Sequence, residues 1–145
     1  MKNTIKVFVL VALTLAAMSV SAQVKLGHIE TQKLIQAMPE WTAAQKTFEE
    51  EQKKVNTELN SLREQFQTKL AEYSEKMKTY SEAMRATTEE ELQGLQQRIQ
   101  RFQETAMAQL EKTQNDLMQP VMEKALNAIK EVGKENGFTY IFDMN

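Results

Sequence analysis

Between Pro39 and Lys130 the chain contains one glycine, Gly94, and one proline, Pro120. No other feature constrains the fold as strongly. Sandwiches and barrels of many short strands need turn residues every 8–12 positions, and none are present at that spacing. A stretch of this length without breakers suits helices far longer than the usual three or four turns. Within it, apolar residues recur at three- and four-residue steps, first as Val55, Leu59, Leu62, Phe66, Leu70, Tyr73, Met77 and Tyr80. A second run reads Leu92, Leu95, Ile99, Phe102, Ala106, Leu110, Thr113 and Leu117.

Ala86-Thr87-Thr88 separates the two runs, and Thr88 with Glu91 has the spacing of a capping box at a helix start. For two helices folded back on each other, facing positions add to a constant. Tyr80 with Leu92, Tyr73 with Ile99, Phe66 with Ala106 and Leu62 with Leu110 each give 172, which places the centre at residue 86. The double four-residue step at 62-66-70 is mirrored at 102-106-110, as a matched stutter on two strands of one seam requires. The expectation is a long antiparallel coiled-coil α-hairpin arm over 42–117 with its tip near 84–88. Its length from Val55 to the tip is about 45–50 Å at 1.5 Å per residue. The seam residues are Leu62, Phe66, Leu70, Tyr73, Ile99, Phe102, Ala106 and Leu110.

Short strand-like segments flank the hairpin. Val24, Leu26 and His28 alternate with Gly27 and Ile29, and Gly137 stops the last helix before the aromatic and β-branched run Phe138-Thr139-Tyr140-Ile141-Phe142. Residues 23–41 and 118–145 therefore form a small β-containing body, with Val24, Leu26, Ile29, Phe138, Tyr140 and Phe142 as its oligomerisation residues. Two short strands and two helix ends are too little for an independent core, so association through the body is expected. Beyond Pro120, the residues Val121, Met122, Ala125, Leu126, Ile129 and Val132 are expected to pack on the strands with Leu34, Ile35, Met38 and Trp41. The fold class is mainly α, an α-hairpin arm on a small β-stranded oligomerisation body (α+β).

The N-terminus has a different character. Lys2 and Lys6 precede an apolar run from Val7 to Ala17 interrupted only by Thr14, and Val20-Ser21-Ala22 supplies small residues at a cleavage position. This pattern predicts a signal peptide over 1–22. The competing reading, a membrane anchor, requires about 20 apolar residues, more than the run provides. Cleavage leaves 123 residues of net charge −4 without cysteine, so no disulfide contributes to stability.

The composition also argues against catalysis. His28 is the one histidine and has no second histidine or cysteine with which to build a metal site. Glu49-Glu50-Glu51 and Glu89-Glu90-Glu91 lack the loop spacing and glycine of calcium sites and read as helix charges. No phosphate-binding or nucleophile-elbow motif is present, and no catalytic, cofactor or metal residue is assigned.

Several segments together resemble the Skp/OmpH family of periplasmic chaperones. They are Val24-Lys25-Leu26-Gly27-His28-Ile29-Glu30-Thr31-Gln32-Lys33-Leu34, Met38-Pro39-Glu40, the Gln-rich hairpin, Gln119-Pro120-Val121 and the closing Gly137-Phe138-Thr139-Tyr140-Ile141-Phe142-Asp143. The resemblance implies a homotrimer whose arms enclose a cavity for unfolded outer-membrane β-barrel proteins, with no cofactor and no nucleic acid as partner. In that setting Met84, Met107, Met77 and Tyr80 are the candidate client contacts, methionine being the most adaptable apolar side chain. Ordinary hairpin or tip packing is the competing reading for Met84 and Met107. The arm bases are interleaved with acids, so the net charge lends no support to a peripheral membrane or lipopolysaccharide contact. The resemblance also implies a further strand and helix after Asp143, so the body is expected to be incomplete within these 145 residues. A coiled-coil structural adaptor of the cell envelope is the alternative function.

Overall fold

The computed structural model describes residues 24–144, and the signal-peptide assignment to 1–22 lies outside them. The chain runs through β1 (Leu26–Ile29), α1 (Thr31–Ala37), α2 (Pro39–Lys76), α3 (Glu82–Glu135) and β2 (Tyr140–Asp143). The two long helices pack against each other as a hairpin, and α1 packs on the base of both. The expected fold class is the observed one. The strands pair in parallel, Leu26 opposite Tyr140 through Ile29 opposite Asp143. Parallel strands need a crossover connection, and here the entire hairpin serves as one.

The tip is not where the sequence pattern put it. Residues 84–88 lie within α3, and the reversal occupies 77–81. Helix α2 ends as the Thr79 amide donates to the Lys76 carbonyl at 2.8 Å and the Tyr80 amide to the same oxygen at 3.2 Å. Ser81, in extended backbone, is the N-cap of α3 and accepts from the Met84 amide at 3.3 Å. Lys76 in the last turn of α2 and Glu82 in the first turn of α3 suit the two helix dipoles. Thr88 caps nothing. Its hydroxyl and that of Thr87 donate to the Met84 and Ala83 carbonyls one turn back, at 2.8 and 3.0 Å, which is how threonine is accommodated inside a helix.

The register moves with the tip. Lys69 ion-pairs with Glu91, the Tyr73 hydroxyl donates to Glu89, and Lys124 pairs with Glu40, so facing positions add to 160–164 rather than 172. The difference is close to three helical turns of 3.6 residues. Sliding one helix by whole turns leaves the same face toward its partner and changes only which residue meets which. The face assignment therefore survives where the pairing does not. Leu62 and Ala106 are buried, and Phe66, Tyr73, Ile99, Phe102 and Leu110 are half-buried. Leu70 is the exception at 42% exposed, because the half-buried position in that turn is Lys69. The proposed matching of the two stutters goes with the old register. From Val55 to the end of α2 the arm measures about 33 Å, shorter than the pattern implied.

Helix α3 continues through Pro120 without ending. The least exposed apolar side chains among the described residues lie just beyond, Val121 and Ala125 at 4% and 1%. The expected single apolar face is split here. Met122 and Leu126 remain exposed on the outside of α3 while Val121, Ala125 and Gly133 face inward.

Candidate functional site

Alternation along the strands gives the small sheet two different faces. Gly27, Ile29 and Ile141 turn inward, where they meet Leu34, Ile129 and Phe138 around an apolar cavity of about 200 Å³. A Cβ on Gly27 would lie 3.0 Å from the Phe138 ring, and one on Gly133 would lie 3.0 Å from the Ile141 Cδ1, so both glycines permit a close approach. Gly137, at φ +66°, provides the left-handed turn that returns the chain from α3 toward β2. Leu26, His28, Tyr140 and Phe142 face outward and are exposed, with the Tyr140 and Phe142 rings 6.5 Å apart. Of the six residues assigned to oligomerisation, Val24, Leu26, Tyr140 and Phe142 thus present an open apolar surface. Ile29 and Phe138 belong to the interior of the base instead.

The ends of the chain are tied together at the same place. The Lys25 ammonium donates to the Asn136 carbonyl at 2.7 Å and sits 4.4 Å from the centre of the Phe138 ring. The Lys25 amide donates to the Thr139 hydroxyl at 3.2 Å, and the Thr31 amide to Asp143 Oδ1 at 3.3 Å.

Met77, Tyr80 and Met84 come together at the arm tip. Met77 and Met84 are exposed, while Tyr80 is half-buried with its ring 6.3 Å from that of Tyr73. Met77 and Tyr80 are therefore turn residues, not the seam partners of Leu95 and Leu92. The Tyr73 hydroxyl donates to the Glu89 carboxylate, and this bond raises the tyrosine pKa above its ordinary value. Met107 stands apart, 75% exposed and about 35 Å along α3 from Met84. An open groove beside the seam, lined by Gln65, Thr68, Lys69, Glu91, Arg98 and Arg101, separates the two apolar sites.

The exposed Met122 and Leu126 form a third apolar surface that the sequence pattern did not separate from the core, whereas Val132, though partly exposed, lines the cavity beside Phe138 and Ile141. The adjacent pairs Val121-Met122 and Ala125-Leu126 carried the signal. Neighbours on a helix point about 100° apart, too wide an angle for one narrow seam. Among the described residues, no group of three or more His, Cys, Asp or Glu side chains converges as a metal site would require. No helix among them is long and apolar enough to cross a membrane.

A hairpin of two long helices on a small sheet, with apolar surface left open at both ends, now has a counterpart in sequence. The family profile described as outer membrane protein (OmpH-like) matches residues 25–145. The chain belongs to the OmpH-like family. That match spans the strands, both arms and the base, so it covers every element described above. Membership gives this OmpH-like chain a general role of the chaperone type, connected with outer-membrane proteins and the periplasm, in a family that is not enzymatic. A search of curated proteins finds no match to the sequence.

Proposed function

We propose that this OmpH-like chain is a periplasmic holdase, exported by a cleaved signal peptide over residues 1–22. It binds unfolded outer-membrane β-barrel proteins between flexible helical arms and prevents their aggregation. Three copies associate through the bodies formed by 23–41 and 118–145, and the arms of 42–117 bound the cavity. The observation that carries this reading is the separation of exposed apolar surface into a base patch of Leu26, Tyr140 and Phe142 and arm sites at Met77, Met84 and Met107. The base patch is compact enough to be covered by copies of the same chain, while the arm sites are small and distant from one another. Many weak apolar contacts hold an unfolded client without demanding a folded shape, and methionine adapts to any of them.

The test is dilution of a urea-unfolded β-barrel protein into buffer with stoichiometric mature chain, followed by light scattering. Scattering should stay near baseline, and the chain should elute at the mass of a trimer. Client turbidity unchanged by the chain would overturn the reading.

A further inference from the structure

We infer that Met77, Met84 and Met107 are reversible oxidation sites, through which a hydroperoxide turns off the apolar surface of the arm while the base keeps its own. The consequence for clients rests on the holdase reading, whereas the chemistry rests on where the sulfurs lie. Among the described residues the arm exposes four large apolar side chains, Leu70, Met77, Met84 and Met107, and three of them are thioethers. At the base the outward patch of Leu26, Tyr140 and Phe142 contains no sulfur. One reagent therefore acts on one region and spares the other. The chain has no cysteine, so no thiol takes the oxidant ahead of these sulfurs. Access then sets the order among the methionines. The three on the arm are exposed, and Met107 is the most exposed large apolar side chain among the described residues. Met38, between α1 and α2, and Met118, beside Trp41, are half-buried.

The reaction transfers one oxygen atom. The thioether sulfur attacks an oxygen of the hydroperoxide, the O–O bond breaks and an S–O bond forms. Sulfur loses two electrons, and the rest of the peroxide gains them and leaves, with a proton, as water or an alcohol. The sulfoxide is polar and accepts hydrogen bonds from water, so an apolar site becomes a hydrated one. Because the three side chains already face solvent, no buried position acquires a polar group and the helices keep their packing. Oxidation of Met118 would do the reverse, setting a polar oxygen among Trp41, Phe48 and Leu117. Position thus separates a change of surface chemistry from damage to the fold. A dithiol reverses the step through reductases specific for each sulfoxide epimer, the oxygen leaving as water and the dithiol becoming a disulfide. An arm surfaced with methionine loses its grip on clients in oxidant and recovers it afterwards, which leucine at the same positions would not do.

The test treats the mature chain with hydrogen peroxide, removes the peroxide by gel filtration, and maps the chain by mass spectrometry before any client is added. Met77, Met84 and Met107 should each gain one oxygen well before Met38 and Met118, with circular dichroism and oligomer mass unchanged. An unfolded β-barrel protein diluted into this oxidised chain should scatter light nearly as strongly as client alone. Repair with both methionine sulfoxide reductases and dithiothreitol should return scattering to that of untreated chain. The combined variant Met77→Leu, Met84→Leu and Met107→Leu retains the exposed Met122 and Met144, and it should hold client before and after peroxide alike. Glutamine at the same three positions should weaken the hold without any peroxide. Arm methionines that oxidise no sooner than Met118, oxidised parent that still holds client, or a leucine variant that loses client as the parent does would each overturn the inference. Untreated chain that fails to hold client overturns the holdase reading instead, and the mapping, which contains no client, still decides the oxidation sites.

Discussion

The arm and the base of this molecule are held together by opposite means. In the arm, a narrow apolar seam repeats at three- and four-residue steps, and any turn of it resembles the next. In the base, each contact is made once: Gly27 under the Phe138 ring, Gly133 against Ile141, Lys25 across Phe138 and onto the Asn136 carbonyl. A repeating interface fixes which face is covered but tolerates sliding, whereas a set of unique contacts fixes position. The base therefore anchors the hairpin and sets where its long helices begin and end in space. The arm closes most of its apolar surface on itself, and the base leaves Leu26, Tyr140 and Phe142 exposed.

The largest effects should come from placing a charge in each region. Leu62→Asp buries an unpaired carboxylate in the seam, at a position only 8% exposed, and should cost about 3 kcal/mol or more. Circular dichroism should show loss of arm helix, while the emission of Trp41, packed at the base with Phe48, Leu117 and Met118, changes little. Phe142→Asp alters an exposed side chain and should leave the helices of the chain intact. Its expected consequence is loss of the oligomer by light scattering. Identical defects in the two variants would break the division between arm and base.

The same contrast explains what could be read from the sequence. The hairpin and its covered faces were legible because burial on a helix has a period, and the spacing from Val55 to Leu117 displays it. The register was not legible, because a slide of three turns keeps that period. The turn itself carries no glycine or proline: Met77-Lys78-Thr79-Tyr80-Ser81 offers only the cap at Ser81, while Thr88 and Glu91 imitate a stronger start signal inside the helix. The strand segments were legible from their alternation, but their parallel pairing depends on how a crossover of more than one hundred residues returns to the base. The apolar surface of Met122 and Leu126 was merged with the core because hydrophobicity alone does not distinguish inward from outward positions.

A smaller effect sharpens the position of the turn. Ser81→Ala removes the one side-chain cap of α3 and should cost about 1 kcal/mol, seen as a lower midpoint in thermal unfolding. Thr88→Ala removes only a hydroxyl bonded one turn back within the helix and should shift the midpoint little or raise it slightly. A larger loss at Thr88 than at Ser81 would return the tip to 84–88. The pair thus reads the register through helix ends, independently of any contact across the seam.

The smallest effects are electrostatic, and here arm and base should fail at opposite ends of the pH scale. At the base, the Glu40 carboxyl is held below its ordinary value by the hydrogen bond from Lys124. A lowered carboxyl pKa contributes stability that is present above the unfolded value, about 4.3, and is lost as pH falls through the folded one. At the tip, the Tyr73 hydroxyl is raised by its bond to Glu89. That contribution is complete below the unfolded tyrosine value, about 10, and is lost as pH rises through the folded one. Neither the Glu40 carboxyl nor the Tyr73 hydroxyl is itself buried, so each effect is small and weakens with salt. The midpoint difference between parent and Glu40→Gln should therefore shrink as the solution is made acid, and that between parent and Tyr73→Phe as it is made alkaline. A Glu40→Gln difference that persisted in acid, or a Tyr73→Phe difference that persisted in alkali, would mean that the tie concerned contributes nothing. Both losses together would show that the hairpin is fastened twice, once where its helices are anchored and once beside the turn that reverses them.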